Sequence, residues 1–121
     1  MQERPIVNAI IVYNDKSVVA QMLIDTGADL TILSRDKALE LGMKFEGERV
    51  IINGILSSSI FYAKQVTLQI PPFCPIVTNV YISEENNNDL LGRDLIGTYF
   101  SLQMYNDTTI IEPLVSCQCD T

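Results

Sequence analysis

The chain is a succession of short β-rich segments separated by turn residues, and this pattern limits the folds open to it. IVNAIIVY (6–13) and SVVAQMLI (17–24) flank the turn pair Asn14-Asp15, which predicts an N-terminal hairpin. Many short strands at close spacing favour an all-β domain, either a small closed barrel or a sandwich. The other predicted strands cover 49–52, 60–70, 76–82, 99–104 and 108–112.

Two stretches between these strands carry further structural signals. SRDKALELG (34–42) begins with a candidate N-cap, Ser34, and ends with a candidate C′ glycine, Gly42, which predicts a short helix near 35–41. A single helical turn is a further possibility after LLG (90–92). INGILSSS (52–59) is rich in Gly and Ser and predicts the mobile tip of a long hairpin.

Length and charge exclude several classes of protein. The 121 residues suit one domain, which we place at 1–112, followed by a tail at 113–121. The net charge of −7 argues against a nucleic-acid partner, since nothing concentrates Lys or Arg. The sequence has no apolar run of membrane-spanning length and no signal-peptide core, so we expect no membrane partner.

The residue types available also restrict the chemistry. The chain has no histidine, which removes Ser–His and Cys–His nucleophile pairs. The cysteines are Cys74, Cys117 and Cys119, and this odd number without a secretion signal predicts free thiols in a reducing compartment. A structural zinc site would need a ligand from elsewhere, so we expect no metal. If the chain is catalytic, its carboxylates are therefore the expected catalytic groups.

MLIDTGADLTIL (22–33) places two carboxylates inside an apolar run, where burial is costly without a partner. Gly27 allows a sharp turn and the close approach of a second chain, and Thr26 offers a hydroxyl for a local or intermolecular hydrogen bond. Asp25 would then lie at the end of a strand, which is a rigid mount for a reactive carboxyl. On the tripeptide alone, an ordinary turn between strands is the favoured interpretation.

LIDTGAD (23–29), INGI (52–55) and LLGRD (90–94) together resemble the retropepsins, the single-domain aspartic proteases of retroviruses and related retroelements. The resemblance covers roughly residues 5–112. It implies a small closed barrel-like fold with one or two short helices and one flap hairpin per subunit. It also implies that two identical chains pair and that each contributes one catalytic aspartate, which explains why the chain has a single D-T-G.

The resemblance assigns roles to individual positions. Asp25, Thr26 and Gly27 match the catalytic loop, and Arg93 matches an arginine that pairs with Asp29 in the same subunit, where a purely structural ion pair is an alternative. At Ala28, Ile32, Ile55 and Leu90, plain core packing competes with a role in substrate binding. The positions implied to contact substrate are Ala28, Asp29, Ile32, Asn53, Gly54, Ile55 and Leu90.

These features predict an aspartic endopeptidase that acts as a homodimer on a peptide or polyprotein substrate without a cofactor. The resemblance implies the cytoplasm or a virion or virus-like particle as its place. A non-catalytic retropepsin-like module for dimerisation or peptide binding is the alternative. A carbohydrate hydrolase using Asp25 and Asp29 is disfavoured because aromatic residues make up 7% of the chain and Trp is absent. Leu56 and Ser57 follow Gly54-Ile55, so the flap has fewer glycines than the family usually carries.

Overall fold

The computed structural model describes residues 5–53, 58–105 and 108–114. Nearly all of its regular structure is β, with one short helix, which confirms the predicted all-β class. The described residues contain no second helix. Residues 93–95, where a helical turn was possible, form a non-helical turn. The elements are β1 Ile6–Tyr13, β2 Lys16–Ile24, α1 Arg35–Glu40, β3 Arg49–Asn53, β4 Ser58–Gln69, β5 Ile76–Ile82, β6 Leu90–Leu91, β7 Phe100–Tyr105 and β8 Thr108–Pro113.

Six strands form the main sheet in the order β3-β4-β1-β2-β6, with β5 paired to β4 off this path. The long strand β4 is antiparallel to β3, β1 and β5 over different parts of its length. The short strand β6 lies parallel to the end of β2, with Leu23 opposite Leu90 and Ile24 opposite Leu91. The parallel pairing brings two segments that are distant in sequence to the same edge of the sheet.

The hairpins and helix follow the local signals of the sequence. β1 pairs with β2 through a turn in which Asn14 has a φ of 55°, a conformation that Asn tolerates better than most residues. Ser34 caps α1 by accepting a 3.3 Å hydrogen bond from the Lys37 backbone N–H, and Gly42 adopts a φ of 73° after the helix. The predicted hairpin and helix are confirmed, the helix with its end one residue earlier.

The core lies on the inward faces of these strands and under α1. Period-two alternation places one side of β1 and β2 inside, including Ala9, Ile11, Ala20 and Met22, each fully buried. The helix contributes Ala38 to the same cluster, and β5 contributes Val80 and Ile82. Other buried apolar members are Ile24, Leu33, Leu41, Met43, Val66, Leu68, Ile70, Leu91, Leu95 and Phe100.

The last two strands form a separate two-stranded sheet. β7 and β8 are antiparallel, with Phe100 opposite Pro113 and Leu102 opposite Ile111. A two-stranded hairpin is only marginally stable alone, and here Leu102 and Ile111 pack against the core cluster. This small sheet therefore depends on the main domain for its stability.

Cys74 corrects one expectation from the sequence. It is disulfide-bonded, so the prediction of free thiols is wrong for this residue. With three cysteines in the chain, two can form a disulfide while the third stays a free thiol, so an odd number does not exclude a disulfide. Cys117 and Cys119 lie outside the described residues, in 115–121. The described part of the chain has no helix that is long and apolar enough to cross a membrane.

Candidate active site

Asp25 follows β2 directly and lies in a tight turn. Its backbone N–H donates to the Leu91 carbonyl at 3.0 Å, and its own carbonyl accepts from the Ala28 N–H at 3.1 Å. The carboxylate oxygen Oδ1 accepts a 3.0 Å hydrogen bond from the Gly27 N–H. This side-chain bond to the backbone two residues on is an Asx-turn, and it fixes the direction of the half-buried carboxyl.

Gly27 lies close to the Asp25 carboxyl and does not have a positive φ. A Cβ built at this position would lie 3.2 Å from Asp25 Oδ1, closer than an ordinary van der Waals contact. Thr26 and Gly27 are both exposed at the surface of the described chain. The loop thus presents its carboxyl to the surface on a short, hydrogen-bonded turn.

The segment at 91–94 holds this loop from the side. Leu91 accepts the hydrogen bond from Asp25, as described above. The Arg93 N–H donates to the Ala28 carbonyl at 2.8 Å, and the Asp94 N–H donates to the Asp29 carbonyl at 3.1 Å. The loop and the segment therefore form one hydrogen-bonded unit at the end of the β2–β6 pairing.

Gly92 lies where the two segments are closest. A Cβ at this position would be 2.4 Å from the Leu30 carbonyl oxygen and 3.0 Å from the Ala28 carbonyl oxygen. Both obstructing atoms are backbone and cannot rotate away. Only glycine allows this separation of the two chain segments.

Thr31 and Asp94 make a contact that sequence reasoning did not identify. The Thr31 hydroxyl donates to Asp94 Oδ1 at 2.7 Å, and the Thr31 N–H donates to Asp94 Oδ2 at 3.1 Å. The same hydroxyl accepts a 3.1 Å hydrogen bond from the Gly92 N–H. Thr31 is fully buried. The one sequence signal for a buried, hydrogen-bonded Thr31 was its place between Leu30 and Ile32 in an apolar run.

Asp29 and Arg93 also come together. Arg93 Nη2 donates to Asp29 Oδ1 in an ion pair. Both side chains are largely exposed, so the pair adds little to stability through charge alone. Arg93 thus gives a charged partner to Asp29, the second carboxylate in the apolar run 22–33.

The aspartyl protease family profile matches residues 7–95, a span that includes both the loop at Asp25 and the segment at 91–94. The chain belongs to this family. Among solved structures it is similar to the EIAV protease in complex with the inhibitor HBY-793. That match has 26% identity and a TM-score of 0.58, and covers 78% of this chain and 86% of the other. No curated protein matches the chain.

These findings confirm the retropepsin fold and family that the three motifs indicated. The fold of this retropepsin-type chain gathers several of the positions matched to substrate contact. Ile32 bridges to both Tyr81 and Leu90, which places it between β5 and β6. Ala28, Ile32 and Leu90 are half-buried, so each has some surface available to a ligand and some in the core.

The predicted flap of this retropepsin-type chain is described only in its two strands. β3 and β4 are antiparallel up to the pair Asn53 and Ser58, which confirms the predicted hairpin. Asn53 is exposed at its end. Gly54 and Ile55 lie outside the described residues. Within 5–53, 58–105 and 108–114, no group of three or more His, Cys, Asp or Glu side chains is placed to hold a metal ion.

Proposed function

We propose that the chain is an aspartic endopeptidase that is active as a homodimer and uses one Asp25 from each subunit. The observation that carries this proposal is the Asp25 carboxyl, oriented by the Gly27 N–H in a loop that residues 91–94 hold. The family to which the chain belongs supports the reaction class.

The reaction we propose is general acid–base hydrolysis of a peptide bond. Two carboxyls that face each other across a two-fold axis do not both ionise easily, and they share one proton. The ionised carboxyl takes a proton from a water held between them, and that water attacks the scissile carbonyl. The protonated carboxyl donates towards the carbonyl oxygen. The step forms no covalent intermediate and uses neither histidine nor a cofactor.

The requirement for a second chain supports the homodimer. The chain has one D-T-G, and the nearby carboxylate of Asp29 is already paired with Arg93. A two-fold dimer would put both Asp25 side chains on its axis. The β7–β8 hairpin is a sheet of its own beside the main sheet, and we propose it as part of the contact between subunits.

The remaining positions receive roles in the same proposal. Thr26 would join the two catalytic loops across the dimer, and the Gly27 carbonyl and Asp29 would bind the substrate main chain. Ala28, Ile32 and Leu90 would line apolar subsites, which favours substrates with apolar residues around the cleaved bond. Likeness to a retroviral protease supports polyprotein processing as the biological reaction.

The decisive experiment is peptide cleavage by the wild type and by Asp25→Asn at matched concentration. Asn is nearly isosteric with Asp but cannot act as a base, so cleavage should fall to background while the fold and dimer are retained. Asp15→Asn is the matched control, since it makes the same change at an exposed turn between β1 and β2. Pepstatin should block the wild-type reaction.

Two outcomes would contradict the proposal. Substantial cleavage by pure Asp25→Asn would remove the aspartate mechanism. A folded, dimeric wild type that cleaves no member of a peptide library would instead support the non-catalytic dimerisation or peptide-binding module.

A further inference from the structure

We propose that Asp94 is a positioning residue for the Asp25 carboxyl and that it acts through Thr31 and the backbone of residues 91–94. This inference rests on the proposed function, because it concerns the same reaction. Nothing in the motif resemblance assigned a role to either Asp94 or Thr31. The geometry of their contact carries the argument.

Asp94 is a half-buried carboxylate whose hydrogen-bond donors are neutral groups. It takes part in neither ion pair of the described chain, which are Lys37–Glu40 and Arg93–Asp29. Its two oxygens instead receive the hydroxyl and the N–H of the single residue Thr31, at 2.7 and 3.1 Å. Hydrogen bonds to an ionised acceptor are stronger than neutral ones, so this two-point contact is a firm link between the two segments.

Each oxygen of Asp94 accepts one hydrogen bond from Thr31. Asn at this position would not remove the contact, because its NH2 can donate to the Thr31 hydroxyl while its amide oxygen accepts from the Thr31 N–H. Asp94→Leu has the same branched shape and no hydrogen-bonding atom, so it removes both acceptors and is the specific probe of the link.

The link reaches Asp25 through the backbone. The Thr31 hydroxyl accepts from the Gly92 N–H, and Gly92 follows Leu91, whose carbonyl accepts from the Asp25 N–H at 3.0 Å. Residues 93 and 94 hold the carbonyls of residues 28 and 29 on the other side of the D-T-G turn. A shift of 91–94 therefore moves Asp25 itself. A misplacement of about 1 Å at a reacting group can cost on the order of 10²-fold in rate.

Thr31→Val, Thr31→Ser and Asp94→Leu test the link. Val has nearly the shape of Thr but no hydroxyl, whereas Ser keeps the hydroxyl. We expect Thr31→Val and Asp94→Leu to lower kcat about tenfold or more with KM within about twofold, because positioning acts on the chemical step. We expect Thr31→Ser to retain kcat within about threefold. Rates are taken per dimer, with the dimer fraction from sedimentation.

Two controls separate positioning from a general loss of stability. Thr67→Val makes the same chemical change on β4, at a half-buried position remote from the loop. Ile11→Val removes one methylene from the core of β1 and lowers stability without touching the site. Both should keep the wild-type kcat per folded dimer.

A second measurement does not depend on activity. The Asp25 N–H is hydrogen-bonded to Leu91, so its hydrogen exchange should be slow in the wild type and in Thr31→Ser. Exchange should be at least tenfold faster in Thr31→Val and Asp94→Leu, by NMR under native conditions. The exchange at a β1 amide such as Ile11 should change much less.

The outcomes decide the two proposals separately. Wild-type kcat or unchanged Asp25 exchange in folded Thr31→Val would overturn the positioning role. Fast exchange of the Asp25 N–H in Thr31→Ser would also overturn the positioning role, because Ser retains the hydroxyl. This measurement on Thr31→Ser still tests the proposal if the other variants do not fold. A wild type without peptidase activity would refute the proposed function. Hydrogen exchange at the Asp25 N–H would still test whether Asp94 and Thr31 orient the Asp25 loop.

Discussion

Gly92→Ala perturbs the closest contact between the D-T-G loop and the segment that holds it. The new Cβ would lie 2.4 Å from the Leu30 carbonyl oxygen, whereas ordinary van der Waals contact begins near 3.4 Å. The two backbones must therefore separate by about 1 Å, since neither obstructing atom can rotate away.

The expected cost follows from the bonds that span this gap. Hydrogen bonds of 2.8 and 3.1 Å join residues 93 and 94 to the carbonyls of 28 and 29, and a separation of about 1 Å would break them. Two lost hydrogen bonds cost about 1 kcal/mol each. Overpacking adds about 1–3 kcal/mol. We expect the free energy of unfolding to fall by about 3–5 kcal/mol, with a loss of peptidase activity on the order of 10²-fold.

Urea denaturation and peptide cleavage measure these two quantities. Gly97→Ala is an informative control, because no atom lies within 4 Å of its built Cβ but its φ is +94°. That substitution tests backbone strain without a steric contact, and this strain costs about 1 kcal/mol. A Gly92→Ala protein with wild-type stability and activity would refute the argument that steric contact at Gly92 maintains the catalytic loop.

Three further predictions concern the assembled enzyme. Specific activity should fall steeply on dilution, because each active dimer needs two Asp25 side chains. For the same reason an excess of Asp25→Asn should inhibit the wild type by forming inactive heterodimers. A monomeric mass with full activity would contradict this. The rate should show a bell-shaped pH profile on the acid side, because one carboxyl must be charged and one protonated; a rate that rises steadily into alkaline pH would exclude the shared proton. Removal of residues 113–121 takes away both of the chain's other cysteines and with them the Cys74 disulfide, so it should change activity no more than Cys74→Ser does. Truncation into 108–112 should weaken the dimer because it removes β8, which pairs with β7; sedimentation and activity of both truncations and of Cys74→Ser test this.

Local features of the chain were predictable from the sequence because neighbouring residues determine them. The β1–β2 hairpin follows from two alternating segments around Asn14-Asp15, and α1 follows from Ser34 and Gly42 at its ends. The turn at Asp25 belongs to the same class, because its side chain bonds to a backbone N–H only two residues away. Each of these structures forms with partners that lie within a few residues along the chain.

The disulfide at Cys74 marks one limit of such reasoning. Whether two cysteines pair depends on the distance that the fold leaves between them, and composition does not contain that distance. The odd number of cysteines pointed to free thiols, and the folded chain has Cys74 in a disulfide.

The support of the catalytic loop was decided by tertiary structure. Thr31 and Asp94 are 63 residues apart, and neither sequence pattern nor spacing singled out their contact. The need for glycine at position 92 likewise arises from a backbone carbonyl on another segment. Both depend on the parallel pairing of β6 with β2, which brings residues 90–94 beside the loop. The sequence could therefore specify the reactive carboxyl and its own turn, since these are local. The elements that hold it in place come from distant parts of the chain, and only their packing reveals which residues meet.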